Sequence, residues 1–405
     1  MNKRKVYASY PQLTDEDVAI LHEVVDSQWY TEHKYCRQFA RELCKVFSSK
    51  HAVLVNSGSS ASLVALKAVS DFFTGRYVLV NASEFPTTVA SVYHHNMIPV
   101  YIDIDLETLS PNIGQISYAV DRYGKDIAGA IFSHYLGFPF NEPLVREILG
   151  YSRFLVSDCC DALGATIGDK PVGYWSDAST CSFFPAHQIF AIEGGCITTN
   201  DDKILKRALQ YVNWGRDCHC LPGQDNTCGK RFDFKWDKLP EGWDHKYTFT
   251  RLGYNLKLDE FRGALGYSQL QRLDEIVGLR RLNFRLIDAK LRQFDEYIEF
   301  INKNIGSFSP FGFPIILKDE YKTLINPLIQ HLEENGIATR RFFGGNLMRQ
   351  PAFENMPYIA LPDYDGSNKL MDQGFWIGCH PLVTKEDIDY IEDKFIAFFN
   401  ERGLF

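Results

Sequence analysis

The chain has 405 residues, of which 45% are hydrophobic and 23% charged, and its formal net charge is −8. This is the composition of an ordinary globular protein with enough apolar material for two domains, or one large and one small. An acidic balance with no basic patch argues against non-specific nucleic-acid binding, and no run of 18 apolar residues is present to span a membrane. The opening segment MNKRKVYASYPQLTDED has basic residues, then acidic ones, and no apolar stretch between them, so it does not read as a secretory signal. A cytoplasmic setting with reduced thiols is the expectation.

Along the chain, short apolar runs alternate with helical patterns, as in a parallel sheet flanked by helices. HAVLVN, RYVLVN, PVYIDID, GAIFSH, RFLVSD and TCSFF read as strands. Between the first two, ASLVALKAVSDFF places Leu63, Leu66 and Val69 on one helical face. From Asp259 to about Phe294 the spacing predicts one long helical stretch, with Leu270, Leu273 and Val277 in step. FSPFGFPIILKDE, a helix around TLINPLIQHLEENG and a tail helix in EDIDYIEDKFIAFF then suggest a smaller α+β domain. The boundary is placed near 280, giving an N-terminal segment with a large cofactor-binding domain over 1–280 and a small C-terminal domain over 281–405.

Three segments of the larger part point to a phosphopyridine site. NSGSSAS hands a strand over to a helix: Gly58 permits tight turning, while free backbone N–H groups and the Ser57 and Ser59 hydroxyls suit an anion. The same serines also suit a plain helix cap. Asp158 ends the apolar run RFLVSD, at the carboxyl end of a strand, where ligands of α/β sheets sit. A carboxylate there keeps a pyridine nitrogen protonated, or else caps the next element. The third segment, TCSFFPAHQIFAIEGGCITTN, carries Ser182 and His187.

Ten cysteines are present, and Cys218, Cys220 and Cys228 fall in a run rich in Gly, Pro, Asp and Asn that can wrap an ion. Cys160 lies directly beyond Asp158. An iron–sulfur cluster, zinc and free thiols are the three readings, and the Cys-x-Cys step fits the usual zinc pairs poorly.

Taken together, the serine loop, Asp158, the segment 180–200 and LGYNLKLDEFRGALGYSQLQRLDEI make the chain resemble the DegT/DnrJ/EryC1/StrS sugar-aminotransferase family, over nearly its whole length. The resemblance implies an α/β fold of the aspartate-aminotransferase type (PLP fold type I), a three-layer, mostly parallel sheet domain plus a smaller α+β C-terminal domain. It also implies a homodimer with the active site at the interface. The family's lysine, which binds the cofactor covalently, is replaced here by His187. Imidazole forms no stable Schiff base, so the change implies a non-covalently held pyridoxamine 5'-phosphate, with His187 as the base.

Within the family this substitution is similar to the 3-dehydratases of nucleotide-linked 4-keto-6-deoxyhexoses. The spacing Cys-x57-Cys-x-Cys-x7-Cys resembles the branch that deoxygenates CDP-4-keto-6-deoxyglucose on a two-iron, two-sulfur (2Fe-2S) cluster. That likeness carries over Cys160, Cys218, Cys220 and Cys228 as metal ligands, and Ser57, Gly58, Ser59 and Ser182 as the phosphate site. Family analogy further places Asn255 at the phosphate of the neighbouring subunit, and Phe85 in EFPTT is the candidate to stack on the pyridine face, or else a buried loop aromatic. Single-electron delivery implies an NAD(P)H-dependent flavin and iron–sulfur reductase as partner, since no GxGxxG appears in this chain. Phe138 and Phe184 stand where polar residues are more usual in the family.

Overall fold

The computed structural model describes residues 4–220, 222–301 and 306–404. Its main sheet has seven strands: β1 (His51–Val55), β2 (Tyr77–Asn81), β3 (Ile98–Ile102), β4 (Ile127–Ser133), β5 (Phe154–Asp158), β6 (Ala178–Ser182) and β7 (Gly195–Thr199), in the order β1-β7-β6-β5-β4-β2-β3. From β6 to β3 all pairs are parallel, and β7 runs antiparallel to both of its neighbours. The sheet is therefore mixed but mostly parallel, as the sequence predicts. Side-chain alternation builds the layers: Val78, Val80, Phe154 and Val156 face one buried cluster, whereas Leu79 and Leu155 face the other.

Two differences from the sequence reading have clear causes. GCITT was not among the strand candidates, because a five-residue run opened by a glycine pair carries little periodicity. In the fold it completes the sheet between β1 and β6. The long helical stretch is in fact two helices, Glu260–Leu270 and Leu273–Leu291, separated at Gln271 and Arg272. At this break Arg272 Nη2 reaches the fully buried Asp17 Oδ2 at 2.9 Å, which also accepts from Gln269 Nε2 at 2.6 Å. Leu270 and Leu273 still enter the same core.

The second sheet, β8 (Ile298–Glu299), β9 (Phe313–Leu317), β10 (Thr339–Arg340) and β11 (Gly374–Ile377), is antiparallel in the order β8-β9-β11-β10. It shares a core with the helices Ile325–Glu334 and Lys385–Asn400, through Leu328, Leu332, Phe395 and Phe399. The helix Leu273–Leu291 joins the two halves. Its first turns pack Leu273 and Val277 with the large sheet's helices, and its last turns pack Ile287 and Leu291 into the small core. Among the described residues, no helix is long and apolar enough to cross a membrane.

Midway along that helix, Arg280 is only 3% exposed. Its guanidinium donates to the carbonyls of Ala186 (3.1 Å), His187 (2.9 Å), Pro310 (3.3 Å) and Phe311 (3.0 Å). Removing it strands four carbonyls on two loops. We expect Arg280→Ala to cost about 3 kcal/mol or more, read as a lower urea midpoint, because buried acceptors without donors are expensive.

Candidate active site

The carboxyl ends of β4, β5 and β6 meet the N-terminus of the helix Gly58–Ser70, and the chemistry-bearing side chains collect there. Asp158 closes β5 and is 4% exposed. Thr88 Oγ1 donates to its Oδ2 at 2.9 Å and Ser62 Oγ at 3.4 Å, while Cys160 N donates to Oδ1 at 3.1 Å. The carboxylate is thus held from three sides.

Two further carboxyls sit close by. Burial, then the charge of Asp158, pushes Glu84 up to about 7 and lifts Asp161 well above the usual carboxylate range. Glu84 accepts from Phe85 N at 3.0 Å and Ser133 N at 3.2 Å, and also from the Ser133 hydroxyl. Asp161 accepts from Leu136 N at 3.2 Å, where the chain takes a left-handed φ of 51°. Both flanking groups thus hold their protons more tightly than free carboxylic acids.

The serine loop forms the other wall. Ser57 caps the helix, its Oγ accepting from Ser60 N at 3.1 Å. Gly58 has no room for a side chain: a Cβ there would lie 2.5 Å from Ser182 Cβ and 3.2 Å from Cys160 Sγ. Gly58, Ser182 and Cys160 therefore touch, and the close approach explains the glycine. Ser59 Oγ meets Thr87 Oγ1 at 2.7 Å. Ser182 Oγ accepts from Phe184 N at 3.3 Å, which turns the chain out of the sheet two residues before the sequence pattern suggested.

Phe85 begins the helix Pro86–His94 with its residue 48% exposed, and its ring lies edge-on to Phe343 at 5.9 Å. His187 lies on the loop after β6. Its backbone oxygen is fixed by Arg280 and its ring is 5.1 Å from that of Phe311. His187 Nδ1 is buried without a hydrogen-bond partner, 3.5 Å from Asp161 Oδ1. Burial, assisted by the Arg280 charge, pulls the imidazole down to about 3. With the acid shifted up and the base shifted down, both shifts oppose formation of an ion pair.

Ser57, Gly58, Ser59, Ser182, Asp158 and Cys160 come together through the contacts above, and Asp161 links this group to His187. Asn255 stands apart: it is exposed, and its Oδ1 accepts from Lys257 Nζ at 3.0 Å. Its neighbour Leu256 accepts from Asn56 N at 2.9 Å, beside the serine loop. Phe138 is buried in an aromatic cluster with Phe284 and Phe308, whereas Phe184 is half exposed. Asp161, Thr88 and Glu84 were not singled out from the sequence. The available signals were the second Asp of DCCD and the hydroxyl pair of EFPTT.

Cys218, Cys220 and Cys228 line one cavity together with Arg231, His245 and Lys246, and Cys160 is not among the residues lining it. Cys228 Sγ accepts from Lys230 N at 3.4 Å, and Cys220 Sγ lies 3.1 Å from Thr227 Oγ1. A separate buried trio, His134, Glu142 and Cys159, has ligating atoms within 4.8 Å of one another. There His134 Nε2 meets Glu142 Oε1 at 2.7 Å, and His134 Nδ1 accepts from Phe140 N at 3.2 Å. Glu142 is further saturated by Gly173 N at 2.5 Å and Trp175 N at 3.2 Å. This trio is a structural tie with no donor atom to spare on its histidine.

The model of the DegT/DnrJ/EryC1/StrS aminotransferase family matches residues 11–396, and the chain belongs to that family. It is 38% identical over 393 residues to the lipopolysaccharide biosynthesis protein RfbH of Salmonella typhimurium strain LT2, covering 95% of this chain and 89% of the relative. It is 36% identical over 370 residues to the dTDP-4-dehydro-2,6-dideoxy-D-glucose 3-dehydratase of Saccharopolyspora spinosa, covering 89% and 79% of the two chains. Among solved structures, the E. coli GDP-4-keto-6-deoxy-D-mannose-3-dehydratase with bound hydrated PLP superposes with a TM-score of 0.86 at 28% identity, over 97% of this chain and 100% of that one. The fold is that of the PLP-dependent aminotransferases.

The Gly58 contact yields a direct check. Gly58→Ala should weaken binding of pyridoxamine phosphate at least about tenfold in an absorbance titration, because overpacking at this wall displaces Ser182. The fold, read by circular dichroism, should be kept.

Proposed function

We propose that the protein is a pyridoxamine phosphate-dependent 3-dehydratase of a nucleotide-linked 4-keto-6-deoxyhexose, working with an iron–sulfur cluster and a separate NAD(P)H-dependent flavin and iron–sulfur reductase. The observation that carries the reading is a buried neutral histidine, His187, where the family's lysine stands, set beside the carboxyl cluster at Asp158. Two of the relatives described above bear 3-dehydratase names, which supports the same reaction class. On this reading the chain is an enzyme of nucleotide-sugar metabolism.

The residues suit the cofactor. The N–H groups and hydroxyls around Ser57, Gly58, Ser59 and Ser182 would hold its phosphate, Asp158 its pyridine nitrogen, and Phe85 one ring face. We assign Asn255 to the phosphate of the neighbouring subunit in a homodimer, and keep the domain boundary near 280. When bound, pyridoxamine phosphate supplies an amine for the 4-keto carbon and a ring that accepts electrons.

The chain's own residues then do the following. Asp158 holds negative charge against the ring nitrogen. Arg280 fixes the His187 backbone so that the imidazole keeps its place. With Nδ1 turned toward Asp161, Nε2 is the ring nitrogen left to take a proton, and the same nitrogen can return it to the departing hydroxyl on carbon 3. The Phe311 ring gives the imidazole one apolar neighbour, at 5.1 Å. Replacing the C–O bond at carbon 3 by C–H releases water and consumes two electrons and two protons. We assign Cys218, Cys220 and Cys228 to the cluster through which the reductase would deliver those electrons. The spacing adds Cys160 to that set, although its sulfur lies against the phosphate cradle.

The test is turnover of the cofactor-loaded protein with a nucleotide-linked 4-keto-6-deoxyhexose and a reductase, followed by mass spectrometry. Loss of the carbon-3 hydroxyl supports the reading. An amino sugar formed from glutamate would instead make the protein a transaminase, and deoxygenation without iron would place it with cluster-independent dehydratases. His187→Lys should lower deoxygenation at least about a hundredfold and allow borohydride to trap the cofactor on the protein. A base that loses its proton at about 3 stays competent well into acid. Accordingly, once the Glu84 carboxyl, raised to about 7, is removed in Glu84→Gln, kcat/KM should be flat between about pH 5 and 8, with no break near the ordinary histidine value. Cys218→Ser should leave pyridoxamine phosphate binding unchanged and abolish reductive turnover.

A further inference from the structure

The small domain sends one loop back to the candidate site. It follows β10, and there the half-buried Phe343 takes a left-handed φ of 41°. Glycine or asparagine adopts that backbone easily, whereas a bulky aromatic residue is strained in it, so the surroundings must hold the ring where it is. The Phe343 ring stands edge-on to Phe85 at 5.9 Å and to Tyr135 at 4.9 Å, and lies 6.4 Å from Phe311. All three distances are those of ring pairs in contact. Phe311 is in turn the ring beside His187, at 5.1 Å. Phe343 thus links the ring assigned to the pyridine face with the neighbour of the candidate base.

The residues that follow are fitted to the large domain. Gly344 has no space for a side chain, since a Cβ there would lie 2.4 Å from Leu347 Cδ2, with Glu84 O at 3.5 Å. Leu347 N donates to Ala82 O at 2.8 Å. The loop is therefore tied to the same segment, 82–85, that presents Phe85. Phe85, Phe311 and Phe343 carry no polar side-chain atom. Tyr135 brings the one hydroxyl of the group, and it is fully buried in a 2.9 Å hydrogen bond with the buried Ser83.

On the proposed reading, carbon 4 of the hexose meets the cofactor amine and His187 serves the bond at carbon 3. Carbon 5 is bonded to carbon 4 and bears carbon 6, so carbon 6 lies two bonds from the atom fixed at the cofactor. A methyl group against phenyl rings buries apolar surface, whereas a hydroxymethyl group there loses its water and finds no partner. We infer that Phe343 is a specificity residue, selecting a sugar nucleotide with methyl at carbon 6 over one with hydroxymethyl. The inference rests on the 3-dehydratase reading for the sugar, and on the ring contacts for the residue. Apolar walls reject an added hydroxyl only modestly, so the preference expected is about tenfold to a hundredfold.

The full chain, loaded with pyridoxamine phosphate, is titrated by calorimetry with glucose and 6-deoxyglucose linked to CDP, dTDP and GDP. These sugars carry a hydroxyl at carbon 4 and cannot react. With the carrier that binds, the wild type should hold the 6-deoxy sugar at least about tenfold tighter, and the same preference should appear in kcat/KM for the matching 4-keto sugars. Phe343→Asn, which suits the left-handed backbone and offers an amide, should bring the ratio close to one. Phe343→Tyr, which keeps the ring and adds a hydroxyl, should narrow it. A wild-type ratio near one overturns the inference without any variant, and a ratio unchanged in both variants removes Phe343 from the role. Either result leaves deoxygenation of the 6-deoxy substrate standing. A protein that binds none of the pairs and deoxygenates none of the 4-keto sugars loses the functional reading, and the inference with it.

Discussion

The Arg280 guanidinium is the contact through which the two halves of the molecule and the candidate site depend on one another. It is buried on the helix that spans both cores, and it donates to two carbonyls of the His187 loop and two of the loop that leads into β9. Burying a permanent cation is costly unless its N–H groups are matched, and here four backbone oxygens accept from the two terminal nitrogens. The charge is also felt by the imidazole whose backbone it holds, which helps keep His187 neutral. One side chain thus fixes the backbone of the candidate base and adds to the burial that keeps its ring neutral.

The acids on the other side obey the same electrostatics. Asp158, Glu84 and Asp161 lie close enough to oppose one another's ionisation, and all three are nearly inaccessible to solvent. Burial, then the charge of Asp158, raises the proton affinity of both Glu84 and Asp161. Asp158 has two hydroxyls and a backbone N–H directed at it, whereas Asp161 has one N–H and a neutral imidazole. Asp161, shifted up, and His187, shifted down, therefore sit next to each other with both shifts opposing an ion pair.

Much of this was legible in the sequence, for reasons that can be named. Asp158, the serine loop and Ser182 were found because strand ends and glycine-containing helix starts have local signatures. The shift from lysine to His187 stood out against a resemblance spanning the chain. Asp161 and Glu84 escaped because an acidic residue acquires its shifted proton affinity only when burial and a like charge are supplied by distant strands. The break at Gln271 and Arg272 was hidden for a similar reason: the apolar spacing runs on through it, and the cause is a buried carboxylate on a helix some 250 residues earlier in the chain.

The order of strands in the large sheet has a consequence for how the protein is made. β1 reaches β6 only through β7, which pairs antiparallel with both. The serine loop follows β1 and Ser182 ends β6, so their contact joins segments more than a hundred residues apart. Such non-local closure comes late and slowly in folding. The contact between Gly58 and Ser182 therefore waits on long-range strand pairing, and a chain that has made it has already completed its central sheet.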